Sequence, residues 1–127
     1  MASMIKLSKL RTIPAIATSL AFITMPCLAV AQLPLQLSQP KAANLARMRA
    51  ESINGGLREY RAAQCMYVTG GGGCMISKTE DSFLFRFQGG TPVWQQLSPP
   101  EPTIETDVLV TRDASRILSV PYNGPLK

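Results

Sequence analysis

Histidine is missing from this chain of 127 residues. Its absence removes the commonest general base and the commonest metal ligand. No Ser-His-Asp or Cys-His nucleophile can be assembled within the chain. Cysteine is scarce, limited to Cys27, Cys65 and Cys74. A structural zinc needs four ligands, and only Cys65 and Cys74 stand clear of the N-terminal stretch. The patterned acidic loop that binds calcium is lacking. The glycine run Gly70–Gly73 continues as Cys74-Met-Ile-Ser-Lys78, without the Lys-Ser/Thr pair of a phosphate loop. No catalytic residue, cofactor site or metal site is therefore assigned. Strong charge is lacking too. Thirteen Lys and Arg face eight Asp and Glu, and Lys6, Lys9 and Arg11 belong to the N-terminal stretch. The rest is nearly balanced, which argues against nucleic acid or an anionic membrane as partner.

The N-terminal stretch has the layout of a secretory leader. A basic segment precedes the uncharged apolar run Ile13–Met25, and Leu28-Ala-Val-Ala31 follows. Ala29 and Ala31 match the small-x-small pattern at which signal peptidase cuts. The run is shorter than the roughly 20 apolar residues a bilayer span needs, and Pro14 lies inside it with Pro26 directly after it. Residues 1–31 are read as a cleaved signal peptide. The destination is the periplasm or the extracellular space, with no membrane span left after cleavage.

What remains, 32–127, is one small domain. At this size folding buries only about 60–65% of the unfolded surface, so a covalent staple helps. Export brings the chain into an oxidising compartment, where Cys65 and Cys74 are expected to form a disulfide. Eight residues separate them, unlike the Cys-x-x-Cys spacing of redox pairs. Closing that loop would contribute about 2–3 kcal/mol by chain entropy.

Residues 32–39 read as a flexible arm. Ser38 offers an N-cap and Pro40 suits a first helical turn. Ala42, Leu45, Ala46 and Ile53 then recur near one face, with Met48 at its edge, and Asn54-Gly-Gly56 is a stop signal. The pattern predicts a helix over about 40–53. Leu57–Ala63 either prolongs it past a glycine kink or opens a strand. A strand is expected over 62–69, the glycine run as its turn, and Cys74–Ser77 returning antiparallel. Phe83, Phe85 and Phe87 alternate with Leu84 and Arg86, the mark of a half-buried strand with its aromatic face in the core. Val93–Leu97 is a short strand or loop laying Trp94 against the sheet, and Ser98–Pro102 a semi-rigid connector. Ile104, Thr106, Val108 and Val110 alternate with Glu105, Asp107 and Leu109. After a turn at Arg112–Ser115, a last strand carries Leu118 and Val120 on one face, and Pro121 ends the pairing or marks an edge. The fold class is α+β: one N-terminal helix packed on a roughly four-stranded antiparallel sheet, filling 40–127.

Three functional features remain. Tyr67, Trp94 and Tyr122 are candidates for a recognition surface, since Trp, Tyr and Arg dominate interface hot spots. Glu105 and Asp107 share a strand face about 7 Å apart, a separation glycosidases use, though so small a domain rarely forms the necessary cleft. A stapled, glycine-tipped hairpin would make a wedge for a hydrolase active site. The leading expectation is a non-enzymatic exported binding or accessory domain with a protein or envelope partner. A secreted hydrolase inhibitor and a small carboxylate enzyme are the alternatives.

Asn54-Gly-Gly-Leu57, Tyr60-Arg61, Cys65-Met66, Phe85-Arg-Phe-Gln-Gly-Gly90, Pro92-Val-Trp94 and Tyr122-Asn-Gly-Pro125 together resemble small exported cyanobacterial proteins of unassigned function. The resemblance spans most of 32–127 and speaks to fold rather than chemistry. It implies the thylakoid lumen as a further possible destination. Intact mass of the exported protein should correspond to a start at Gln32, with or without cyclisation of that glutamine; a mass that includes the leader would refute cleavage.

Overall fold

The computed structural model describes residues 35–127, with side chains from Leu37 onward, together with Thr12, Pro14, Ala15 and Ala21. But for those few positions, the expected leader and residues 32–34 of the expected arm lie outside the described residues. The fold belongs to the compact unit Ala31–Lys127.

Among the described residues, one α-helix, α1 (Leu35–Ile53), precedes five strands: β1 (Arg61–Ala62), β2 (Met75–Lys78), β3 (Ser82–Gly90), β4 (Ile104–Thr111) and β5 (Ile117–Pro125). All pairings are antiparallel. β3 is the spine. It pairs with β4 without interruption from Ser82↔Thr111 to Gly89↔Ile104. Its other edge is shared: β1 lies opposite Gly89 and Gly90, β2 opposite Phe83 to Phe85. β5 forms the far edge, beside β4. The α+β class expected from the pattern is what forms, with five strands rather than four.

α1 begins at Leu35, so the expected arm is helical from that residue on. Pro40 lies inside the helix rather than in its first turn, where it has no N–H to offer the carbonyl four residues back. Ser38 is fully buried rather than capping the helix start. The buried stripe is Ser38, Ala42, Ala46 and Ala50, with Ala43 beside it. Spacings of four place these on one side. Ile53, expected on that face, is 37% exposed at the helix end. The helix stops as the glycines require. Gly55 has φ 98°, and the Gly56 N–H reaches the Glu51 carbonyl at 2.7 Å, the six-to-one closure of a Schellman motif. Leu57–Glu59 is a turn, neither helix nor strand.

The alanine stripe meets Phe83, Phe85, Phe87, Val108 and Val110, all buried. The aromatic face of β3 is core, as the alternation predicts. Thr106, Val108 and Val110 are buried on β4, but burial does not alternate as expected, because Asp107 is buried as well. Ile117, not Leu118, packs against the core from β5. Pro121 does not end the last strand; it lies within the edge strand β5, where a missing N–H is tolerated.

The segment 62–69 departs most from expectation. Only Arg61–Ala62 is strand. Hydrogen bonds then run three residues back in sequence: Met66 N–H to Ala63 O (3.0 Å), Val68 N–H to Cys65 O (3.3 Å) and Gly71 N–H to Val68 O (3.0 Å). Such bonds wind the chain into tight 3₁₀ turns over Gln64–Tyr67 and Thr69–Cys74. Ala62 and Met66 are buried but Gln64 between them is exposed, whereas a strand would put all three on one face. Cys65 and Cys74 form the expected disulfide, Cα–Cα 5.9 Å, but it closes a coil and not a hairpin. β2 accordingly pairs with β3 instead of returning along 62–69.

The glycine run turns inward. Gly71 has φ 81° and lies between Phe85 and Ala43; a Cβ there would stand 2.7 Å from Phe85 Cε1 and 3.4 Å from Ala43 Cβ. Gln39 Nε2 donates to the Gly70 carbonyl at 3.0 Å, fixing the turn to α1. Gly71→Ala should therefore destabilise the domain by about 1–3 kcal/mol through overpacking and left-handed strain. Gly73→Ala, with open space around it and no positive φ, should change little. Urea denaturation of both variants checks this; equal stability would show that Gly71 is not sandwiched.

Candidate functional site

The three aromatic residues singled out from sequence do not form one surface. Trp94 is only 6% exposed. Its Nε1–H donates to the Arg61 carbonyl at 2.8 Å, so, contrary to expectation, it is buried structure and not recognition surface. Tyr122 is cross-strand from Asp107, on the sheet face opposite the core. Its hydroxyl donates to the Pro125 carbonyl, and the Lys127 Nζ stands 3.8 Å from its ring centre. Tyr67 lies beside α1, 39% exposed, with the Arg47 guanidinium 4.7 Å from its ring centre.

The carboxylates are also accounted for. Arg86 donates from Nε and Nη2 to the two oxygens of Asp107, both at 2.9 Å, and its Nε lies 3.5 Å from Glu105 Oε1. The bidentate hydrogen bonds and then the charge of Asp107 push the Arg86 guanidinium still further up. Asp107 is 94% buried by its side chain's neighbours, and this fork compensates its charge. The pair that shares a face of β4 is thus a cross-strand ion cluster. At the β4–β5 turn, hydrogen bonds from Ser115 and then Thr111 hold the Asp113 carboxyl down at about 2. Burial pushes the Tyr60 hydroxyl up to about 12, where its ring is packed flush over Gly89. Among the described residues, no group of three or more Cys, Asp or Glu is placed to hold a metal. Among the same residues, no helix is long and apolar enough to cross a membrane.

Two cavities merit comparison. One, of about 550 Å³, is an open dish between the strand turns, lined by Lys78, Thr79, Glu80 and Arg112. Its charges are mixed, and Arg112 is spent on the Thr79 carbonyl and the Phe83 ring. The other, of about 370 Å³, is a groove lined by Arg61, Gln64, Tyr67, Pro92, Gln95 and Gln96. Its two walls are the turn Gln64–Tyr67 and the short 3₁₀ segment Trp94–Gln96. Each wall is pinned separately. Cys65 ties the first to Cys74. Trp94 and Gln95 tie the second to β1, through Trp94 Nε1 on Arg61 O and Gln95 Nε2 on Ala62 O at 2.9 Å. Of the residues flagged from sequence, only Tyr67 lines this groove, with Cys65 and Trp94 behind its walls. Arg61, Gln64, Pro92, Gln95 and Gln96 carried no local signal, because the two walls lie some thirty residues apart in the chain.

No protein-family description, curated protein or solved structure matches this chain. Trp94→Phe removes the donor to Arg61 O and should cost about 1–3 kcal/mol through the orphaned carbonyl. Thermal unfolding of this variant should begin well below wild type; an unchanged melting curve would mean that Trp94 does not pin the wall.

Proposed function

We propose that this protein is a non-enzymatic exported binding or accessory domain that engages a protein or envelope partner through the groove between Gln64–Tyr67 and Trp94–Gln96. The observation that carries the reading is the separate anchoring of both walls. A preformed site spends little binding energy on ordering itself, and the groove's volume lies within the range of ligand sites. The exposed lining residues Arg61, Gln64 and Gln96 have no side-chain hydrogen bond or ion pair among the described residues. The Cys65–Cys74 disulfide supports an oxidising destination, the periplasm or extracellular space, or the thylakoid lumen if the source is cyanobacterial.

No observation favours the other two readings. A hydrolase wedge needs a protruding tip, whereas Gly70 and Gly71 are buried. A carboxylate enzyme needs a free acid–base pair, whereas Glu105 and Asp107 share Arg86. The test is photo-cross-linking in living cells from a benzophenone residue at Gln96, with Ser119 on β5 as comparison. A discrete protein adduct from position 96 and none from 119 is the expected result. Equal adducts from both positions, or none from 96, would refute the groove as the contact.

A further inference from the structure

We infer that the groove takes an extended peptide segment bearing an acidic side chain, with Arg61 as its ionic anchor. This rests on the binding reading above and names the kind of partner it implies. Charge comes first. Among the described residues, Arg61 is the only formally charged one lining the groove, and its side chain has no ion pair there. The neighbouring cation, Arg47, is already committed to Glu51 at 3.1 Å and to the Tyr67 ring. A lone, unpaired guanidinium in a groove of neutral groups complements a single carboxylate, not a polyanion.

The neutral lining fits peptide groups. Each glutamine amide offers two donors and two acceptor positions, matching the N–H and C=O of a main chain. Among the described residues, Gln64 and Gln96 keep all of theirs, and Gln95 keeps its carbonyl oxygen. Tyr67 and Pro92 add the apolar area. Strand addition on β1 is not the route, because Trp94 and Gln95 already cover the carbonyls of Arg61 and Ala62. Recognition therefore falls to side chains. An acidic glycan would share the Arg61 contact, but it favours an open aromatic face for stacking. The groove's one ring already has a face covered by Arg47. At about 370 Å³ the groove holds only a short stretch of chain.

The experiment is selection of a random octapeptide phage library on the purified protein, followed by fluorescence anisotropy with a selected peptide and its Asp→Asn or Glu→Gln counterpart. Selected peptides should share one acidic position. Arg61→Gln should weaken the acidic peptide about tenfold, the loss of one charged contact worth about 1.4 kcal/mol. It should leave the neutral counterpart unchanged. The Arg61 side chain is exposed and its backbone bond to Trp94 uses the carbonyl, so an unaltered melting curve certifies the fold of this variant. Peptides enriched without an acidic position, or indifferent to Arg61→Gln, would overturn the acidic anchor while leaving the groove a binding site. Binding of polyuronate oligosaccharides with no peptide enriched would overturn the peptide assignment. Enrichment of nothing would overturn this inference, and the cross-linking result at Gln96 would then decide the binding reading separately.

Discussion

The close approach of the glycine turn to the helix is the constraint on which the rest of the domain depends. Gly71 fits where no side chain can, between Ala43 on α1 and the ring of Phe85 on β3. That contact joins the three parts of the core. It explains why the helix presents alanine rather than leucine along its buried stripe, since small residues let backbone approach backbone. It also gives the disulfide its task. Cys65–Cys74 closes the coil that delivers Gly70 and Gly71 to this position, and Gln39 secures it from the helix side. A small domain with little core to spare thus fixes its least regular segment covalently.

The sheet follows from β3. One of its edges is fully used by β4; the other is divided between β1 and β2, with the coil between them. Exposed sheet edges invite unwanted pairing, and both are blunted. On one side, Trp94 and Gln95 occupy the carbonyls of β1. On the other, β5 carries Pro121 and Pro125 and slips register against β4. The helix end is tied to this far strand by a reciprocal amide pair, Asn54 and Asn123, at 3.1 and 3.0 Å. Thr106 donates to the same Asn123 oxygen at 2.7 Å. On the open face, Arg86 bridges Glu105 and Asp107 and offsets one of their two charges. Groups that invite a chemical reading in isolation are occupied in holding strands together.

The same economy shapes the proposed groove. Its walls are by-products of two structural necessities, the stapled coil and the capped β1 edge. The side chains on the solvent side of those walls are left with hydrogen-bonding capacity that the fold does not use. A binding role for Arg61, Gln64 and Gln96 would therefore make little demand on stability, because none of them holds the domain together.

Local pattern by itself determined the α+β class, the aromatic core face of β3, the buried Thr106, Val108 and Val110 of β4, the glycine stop after α1 and the partnership of Cys65 with Cys74. Each of these is decided by residues close to one another in the chain. Tertiary structure alone decided that 63–69 coils instead of extending, because the burial of Met66 without Gln64 and the disulfide override strand propensity. It also decided that Pro40 sits inside the helix, that Trp94 is buried, and that Arg61 and Gln96 face one groove. Those outcomes hang on hydrogen bonds such as Trp94 to Arg61, thirty-three residues apart. No periodicity in the chain encodes a meeting between segments that are brought together only when the core closes.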